Sequence, residues 1–144
     1  MDSFASSLDF LDADERSVLF ALCTEKQLDA GDLLFDYHEP AETLFFLKEG
    51  RLAVHKFTGF QEKMQVIALL DPGTVVGEAA LLPAHTRKTQ VTSIEKSSLY
   101  CLNRKKFLNW QKNSPAPASR FLRFLLSLAT LRLEKTSERL AHIL

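Results

Sequence analysis

Hydrophobic positions change their period twice along the chain. From Leu8 to Leu28, Leu11, Val18, Leu19, Leu22 and Cys23 recur at helical spacing. Asp12 stands at the start of that pattern with Glu15 three residues later, the arrangement of a capping box. This predicts an N-terminal helix that lays one face on the domain. From Gly31 to Leu102 the period shortens. Met64, Val66, Ala68 and Leu70 alternate with Gln65, Ile67 and Leu69, and Leu52 and Val54 fall between Arg51, His55 and Lys56. Val91 and Ile94, then Leu99 and Cys101, continue the strand texture. Turn residues at Gly31-Asp32, Glu39-Pro40, Glu49-Gly50, Thr58-Gly59 and Asp71-Pro72-Gly73 interrupt it at roughly eight- to twelve-residue intervals, the rhythm of an antiparallel sandwich or roll. Helical spacing returns after Arg104. A short helix over Arg104 to Lys112 is punctuated by Pro115-Ala116-Pro117, and a long helix runs from near Ser119 to the end. Helix, many strands, helix is an α+β order.

The long helix carries two apolar stripes. Leu122, Leu126, Ala129, Leu133, Thr136, Leu140 and Ile143 are separated by 4, 3, 4, 3, 4 and 3 residues, a seam of three heptads. Phe121, Phe124, Leu125 and Leu128 form a second stripe that stops before Arg132. The expectation is that the first half of the helix packs on the roll and that a second copy, in a parallel homodimer, covers the seam. The alternative is a helix folded back over one core, which leaves the early end of one stripe without a reason. Thr136 interrupts the seam with a hydroxyl, which either bonds the carbonyl one turn back or meets something polar.

Composition narrows the class. With 144 residues the chain suits a single core, and its 18 Lys+Arg against 18 Asp+Glu argue against a nucleic-acid surface in this segment. Met1-Asp2-Ser3-Phe4 lacks the basic-then-apolar order of a secretory signal. Apolar runs such as Phe124 to Leu131 fall far short of the roughly 20 residues of a membrane span. Cys23 and Cys101 form no CxxC pair. These features predict a cytoplasmic protein with two free thiols and no membrane association.

The chemistry concentrates between Asp71 and Val91. Gly77 permits an unusual backbone angle or the close approach of a ligand. Glu78-Ala79-Ala80-Leu81-Leu82 can then form one helical turn whose first amides face an anion. Arg87 offers a planar pair of donors to phosphate oxygens, and Glu78 an acceptor for a ribose hydroxyl. A partly buried Glu78–Arg87 ion pair is the simpler alternative.

Gly77-Glu78-Ala79-Ala80-Leu81-Leu82 followed by Arg87 resembles the phosphate-binding cassette of cyclic nucleotide-binding domains, whose pattern is roughly Phe-Gly-Glu-Leu-Ala-Leu, a short loop, then Pro-Arg-Ala-Ala. Gly31-Asp32-Leu33-Leu34-Phe35 and Leu44-Phe45-Phe46-Leu47-Lys48-Glu49-Gly50-Arg51-Leu52 look like that family's early strands and hairpin glycine. Ile67-Ala68-Leu69-Leu70-Asp71-Pro72-Gly73 looks like its approach to the cassette. Glu134-Lys135-Thr136-Ser137-Glu138-Arg139-Leu140 is similar to the dimerisation helix of the bacterial catabolite activator, a Crp/Fnr-type transcription regulator.

The resemblance implies an antiparallel β-roll, or jelly roll, over residues 1–118 and a dimerisation helix over 119–144. It implies cyclic AMP or another cyclic nucleotide as ligand, no cofactor and no metal. Arg87 would pair with the cyclic phosphate and Glu78 with the ribose 2′-hydroxyl. The amides around Ala79 and Ala80 complete the cradle, Lys88 and Thr89 add a charge or a hydroxyl, and Thr136 and Ser137 read the base. Val76, Thr86, Lys88 and His38 stand where the family more often has Phe, Pro, a small residue and Gly. Lys88 crowds the pocket or favours a more anionic ligand.

In the catabolite-activator family a helix-turn-helix follows this helix, so a DNA-binding domain is expected beyond residue 144. The alternatives are a stand-alone sensor and a vestigial dimerisation module with another effector or none. A cupin-like metalloenzyme needs clustered ligands, whereas His38, His55, His85 and His142 are scattered without an HxH pair. A sensor, not an enzyme, is predicted.

Overall fold

The computed structural model describes residues 8–59 and 63–144. The acidic start Met1-Asp2-Ser3-Phe4 lies outside the described residues. Helix α1 spans Ala13–Leu22, and its capping box forms as the sequence predicts. Glu15 N donates to Asp12 Oδ1 at 2.8 Å, and Asp12 N donates to Glu15 Oε1 at 3.0 Å. The helix ends at Leu22, short of the predicted Leu28, because Cys23 turns extended and Thr24–Leu28 becomes strand β1. Pairing of β1 with β8 gives those residues a ladder that the helical spacing did not reveal.

The remaining strands are β2 (Leu33–Phe35), β3 (Thr43–Glu49), β4 (Leu52–Phe57), β5 (Met64–Leu70), β6 (Val75–Val76), β7 (Gln90–Ser93) and β8 (Ser97–Asn103). They form two antiparallel four-stranded sheets, ordered β1-β8-β3-β6 and β2-β7-β4-β5. Apart from the β4–β5 hairpin, successive strands alternate between the sheets, which wraps the chain into the expected roll.

Strand β3 shows how the sequence specifies two layers of core. Leu44, Phe45, Phe46 and Leu47 are all buried because both faces of β3 are covered. Phe45 and Leu47 point between the sheets, beside Phe35, Leu52, Val76, Val91 and Leu99. Leu44 and Phe46 point outward to a second cluster with Leu19, Leu102, Phe107, Trp110, Phe121 and Leu125, which docks the helices.

Helix α2 spans Arg104–Asn113 and α3 spans Pro115–Ile143. The long helix starts at Pro115, earlier than the predicted Ser119. Pro115 occupies the first position, where a missing amide costs nothing, so the prolines belong to the first turn. The two stripes on α3 separate as predicted. Phe121 and Leu125 are buried, with Phe124 and Leu128 packed against them. The seam is bare, from Leu122 at 37% exposed through Leu133 at 66% to Ile143 at 80%. Among the described residues no helix is long and apolar enough to cross a membrane.

Candidate functional site

Strand β6 delivers the chain to the site. Val75 and Val76 pair with Phe46 and Phe45 of β3, and Gly77 then adopts φ 76°, a left-handed angle open to glycine at little cost. Glu78–Leu81 follows as one 3-10 turn. Ala80 N closes it on Gly77 O at 3.0 Å, and Leu82 N donates to Ala79 O at 3.0 Å. From α2, Arg104 Nη1 donates to the carbonyls of Ala80 and Leu82 at 3.3 and 3.0 Å, fixing the far end of the turn. The amides that open the turn have no partner within it.

Arg87 is the buried charge beside this turn. It is 6% exposed, its Nη1 donates to Gly77 O at 3.1 Å, and its Nη2 donates to Thr43 O. The guanidinium lies over the Phe35 ring, 4.1 Å from the centroid. Its main chain is pinned as well: Arg87 N donates to Glu39 O at 2.8 Å, and His38 N to Arg87 O at 3.0 Å. His38 takes φ 68°, so the residue standing where the family more often has glycine still adopts the glycine-like angle. Burial pulls the Arg87 guanidinium below its ordinary range, opposed by the charges of Glu39 and Glu78.

Gly77, Glu78, Ala79 and Arg87 line a cavity of about 480 Å³ between the roll and α3. One wall is apolar, from Phe35, Val54 and Ile67 to Leu70. The cassette contributes Gly77, Glu78 and Ala79, the following loop His85, Arg87, Lys88 and Thr89, and α3 contributes Arg132, Lys135, Thr136 and Arg139. The structure therefore brings Gly77, Glu78, Ala79, Arg87, Lys88, Thr89 and Thr136 together. Ala80 is fully buried and stays out of the cavity, because the turn directs it at the core. Ser137 is exposed and does not line the cavity of its own chain.

The alternative of a Glu78–Arg87 ion pair does not form. Glu78 Oε1 instead accepts from Arg132 Nη1 at 2.9 Å, while Arg132 Nη2 donates to Val75 O. Arg132 is a site residue outside the sequence prediction, although the second stripe of α3 stops just before it. That stop was the available signal, a polar residue on the face directed toward the roll. Thr136 Oγ1 donates to Arg132 O at 2.9 Å, the bond expected of a helical threonine with no other role. Among the described residues no group of three or more His, Cys, Asp or Glu side chains could hold a metal ion.

Comparison with known proteins bears on this geometry. Residues 25–114 match a family described as cyclic nucleotide-binding domain. The chain is 31% identical over 126 residues to Glutaminase 1 of Bradyrhizobium diazoefficiens, a match covering 88% of this chain and 20% of that protein. It spans about a fifth of the length of the curated relatives it matches. The N-terminal domain of a transcriptional regulator from Streptomyces coelicolor A3(2) is similar with a TM-score of 0.74 and 26% identity, covering 89% of this chain and 88% of that one. The Thermus thermophilus Catabolite Activator Protein is similar in fold with a TM-score of 0.79 and 21% identity, covering 95% of this chain and 62% of that one.

Proposed function

This chain belongs to the cyclic nucleotide-binding domain family, and on that premise we propose that its cavity binds cyclic AMP and acts as a cytoplasmic sensor, not as a catalyst. The observation that carries this reading is Arg87, a buried cation that is held by carbonyls in the wall of a cavity and joins no ion pair among the described residues. A cyclic phosphate supplies the missing charge, with the amides of Glu78 and Ala79 as further donors. Glu78 accepts from the ribose hydroxyl on the opposite side. Thr136, lining the cavity from α3, meets the base, and Ser137 reaches it from a second copy.

In this reading residues 1–118 sense the ligand and 119–144 pair two copies through Leu122, Leu126, Ala129, Leu133, Thr136, Leu140 and Ile143. Binding at Glu78 competes with Arg132, so occupancy is felt directly by α3. The similar N-terminal domain of a transcriptional regulator supports a role in controlling an attached DNA-binding domain. The match to part of a glutaminase favours a second reading, the same sensor attached to a metabolic enzyme. The coding sequence around this segment separates the two: a helix-turn-helix supports the first and a catalytic domain the second.

Calorimetry with cyclic AMP and cyclic GMP tests the sensor itself. Binding heat with a preference for cyclic AMP is expected, and Arg87→Ala should weaken it by about 2–5 kcal/mol. No heat with either nucleotide leaves a dimerisation module with another effector or none.

A further inference from the structure

The cavity carries more positive charge than cyclic AMP needs. Among the described residues its lining holds Arg87, Lys88, Arg132, Lys135 and Arg139 against one carboxylate, Glu78. The Glu78 carboxylate offsets one cation, paired with Arg132 before the ligand enters, and one cyclic phosphate answers Arg87. Lys88, Lys135 and Arg139 remain. Lys88 Nζ donates to a hydroxyl, Thr86 Oγ1, at 3.0 Å, and among the described residues none of the three joins an ion pair.

These cations are sorted by the helix. Arg132, Lys135, Thr136 and Arg139 stand at i, i+3, i+4 and i+7, so they share one face of α3, and all four line the cavity. Glu134 and Glu138, on the same turns, do not line it. Lys135 and Arg139 are also like charges four residues apart, a repelling arrangement that a bound anion relieves. The flanks of the seam in a second copy's helix add no carboxylate to this face. In the heptad set by Leu126, Ala129, Leu133, Thr136 and Leu140, the positions flanking the seam are Arg132 and Arg139 on one side and Thr130, Ser137 and Leu144 on the other. None of the latter is a carboxylate.

We infer that the cavity takes a nucleotide with a second phosphate, the first held by Arg87 and the second by Lys88, Lys135 and Arg139. This rests on the nucleotide reading of the site above, and cyclic AMP then occupies only the first of two phosphate positions. Two chemistries supply the second phosphate: a 3′–5′ cyclic dinucleotide, or a linear nucleotide phosphorylated at both 3′ and 5′.

The test is calorimetry on the whole chain with cyclic AMP, cyclic di-AMP, adenosine 3′,5′-bisphosphate and inorganic pyrophosphate, at low and at raised salt. One of the two-phosphate nucleotides should bind about tenfold more tightly than cyclic AMP at low salt, an advantage that shrinks as salt rises. The nucleotide that does so identifies the source. The double variant Lys135→Gln/Arg139→Gln, two exposed positions outside both cores, should abolish the advantage, the two-phosphate nucleotide losing several-fold more affinity than cyclic AMP. Cyclic AMP binding as tightly as both, an unchanged ratio in the double variant, or pyrophosphate binding as tightly as the better nucleotide would each overturn the inference while leaving the cyclic AMP site standing. No binding by any nucleotide removes the underlying reading, and this inference with it.

Discussion

Arg132 of α3 donates to the Glu78 carboxylate at 2.9 Å and to the Val75 carbonyl, so the long helix is tied to the cassette on both sides of Gly77. The two side chains are 39% and 33% exposed, which limits the ion pair to about 1 kcal/mol. The bond to the buried Val75 carbonyl adds about 1 kcal/mol. Arg132→Ala should therefore destabilise the protein by about 1–2 kcal/mol, read as a drop of a few degrees in melting temperature. Raised salt should shrink the ion-pair part and leave the carbonyl part. An unchanged melting temperature would mean that the tie contributes nothing to stability.

Gly77 and Gly31 make a matched pair. Both have positive φ, 76° and 91°, but a Cβ on Gly77 would lie 2.6 Å from Arg87 Nη1, whereas one on Gly31 meets nothing within 4 Å. Gly31→Ala should cost only the backbone term, about 1 kcal/mol. Gly77→Ala adds displacement of a guanidinium that is itself held by two carbonyls, for a total of about 2–3 kcal/mol. Denaturant unfolding reads both. Nucleotide binding should weaken in Gly77→Ala alone; equal binding losses in the two variants would show that the contact with Arg87 is irrelevant.

Local rules made much of the fold legible. The capping box at Asp12 and Glu15, the turn residues between strands and the two stripes of α3 all report interactions within a few residues or along one helix face. The end of α1 at Leu22 rather than Leu28 has a non-local cause, since β1 exists through its pairing with β8 some seventy residues away. Gly77 and Arg87 were legible because each residue type is chosen for one task, a left-handed turn and a planar cation. The partner of Glu78 was not, because Arg132 lies 54 residues further on and only the docking of α3 through Phe121 and Leu125 brings it there.

The two thiols give a pH-dependent prediction. Burial, with a smaller push from Cys101, raises the Cys23 thiol from its ordinary 9.0 to about 12, against a downward pull from Lys106. Cys101 is also raised by burial, which Lys26 and Thr24 oppose. At pH 8 the folded protein should react slowly with a disulfide reagent, and both thiols should react once guanidinium unfolds it. Above pH 9 the unfolded chain loses these protons while the folded one keeps the Cys23 proton to about pH 12, so stability should fall as pH rises through that interval. Cys23→Ala should flatten the fall. A rapid reaction at pH 8 without denaturant would contradict the burial that underlies both effects.

The bare stripe of α3 is tested by separating assembly from folding. Leu126 and Leu133 are 67% and 66% exposed, whereas Leu125, one position from Leu126, is 7% exposed. Covering each seam leucine against a second helix is worth about 1.5–3 kcal/mol, enough over several layers to hold a dimer. The chain should sediment as a dimer at micromolar concentration, with a melting temperature that rises with concentration. Leu126→Glu/Leu133→Glu should sediment as a monomer that keeps a cooperative transition, now independent of concentration, because neither residue belongs to a core cluster. Leu125→Glu should instead lose the folded roll by placing a charge among Phe121, Trp110 and Phe46. A monomeric parent chain, or a double glutamate variant that sediments like the parent, would return the seam to an ordinary solvent-facing helix surface.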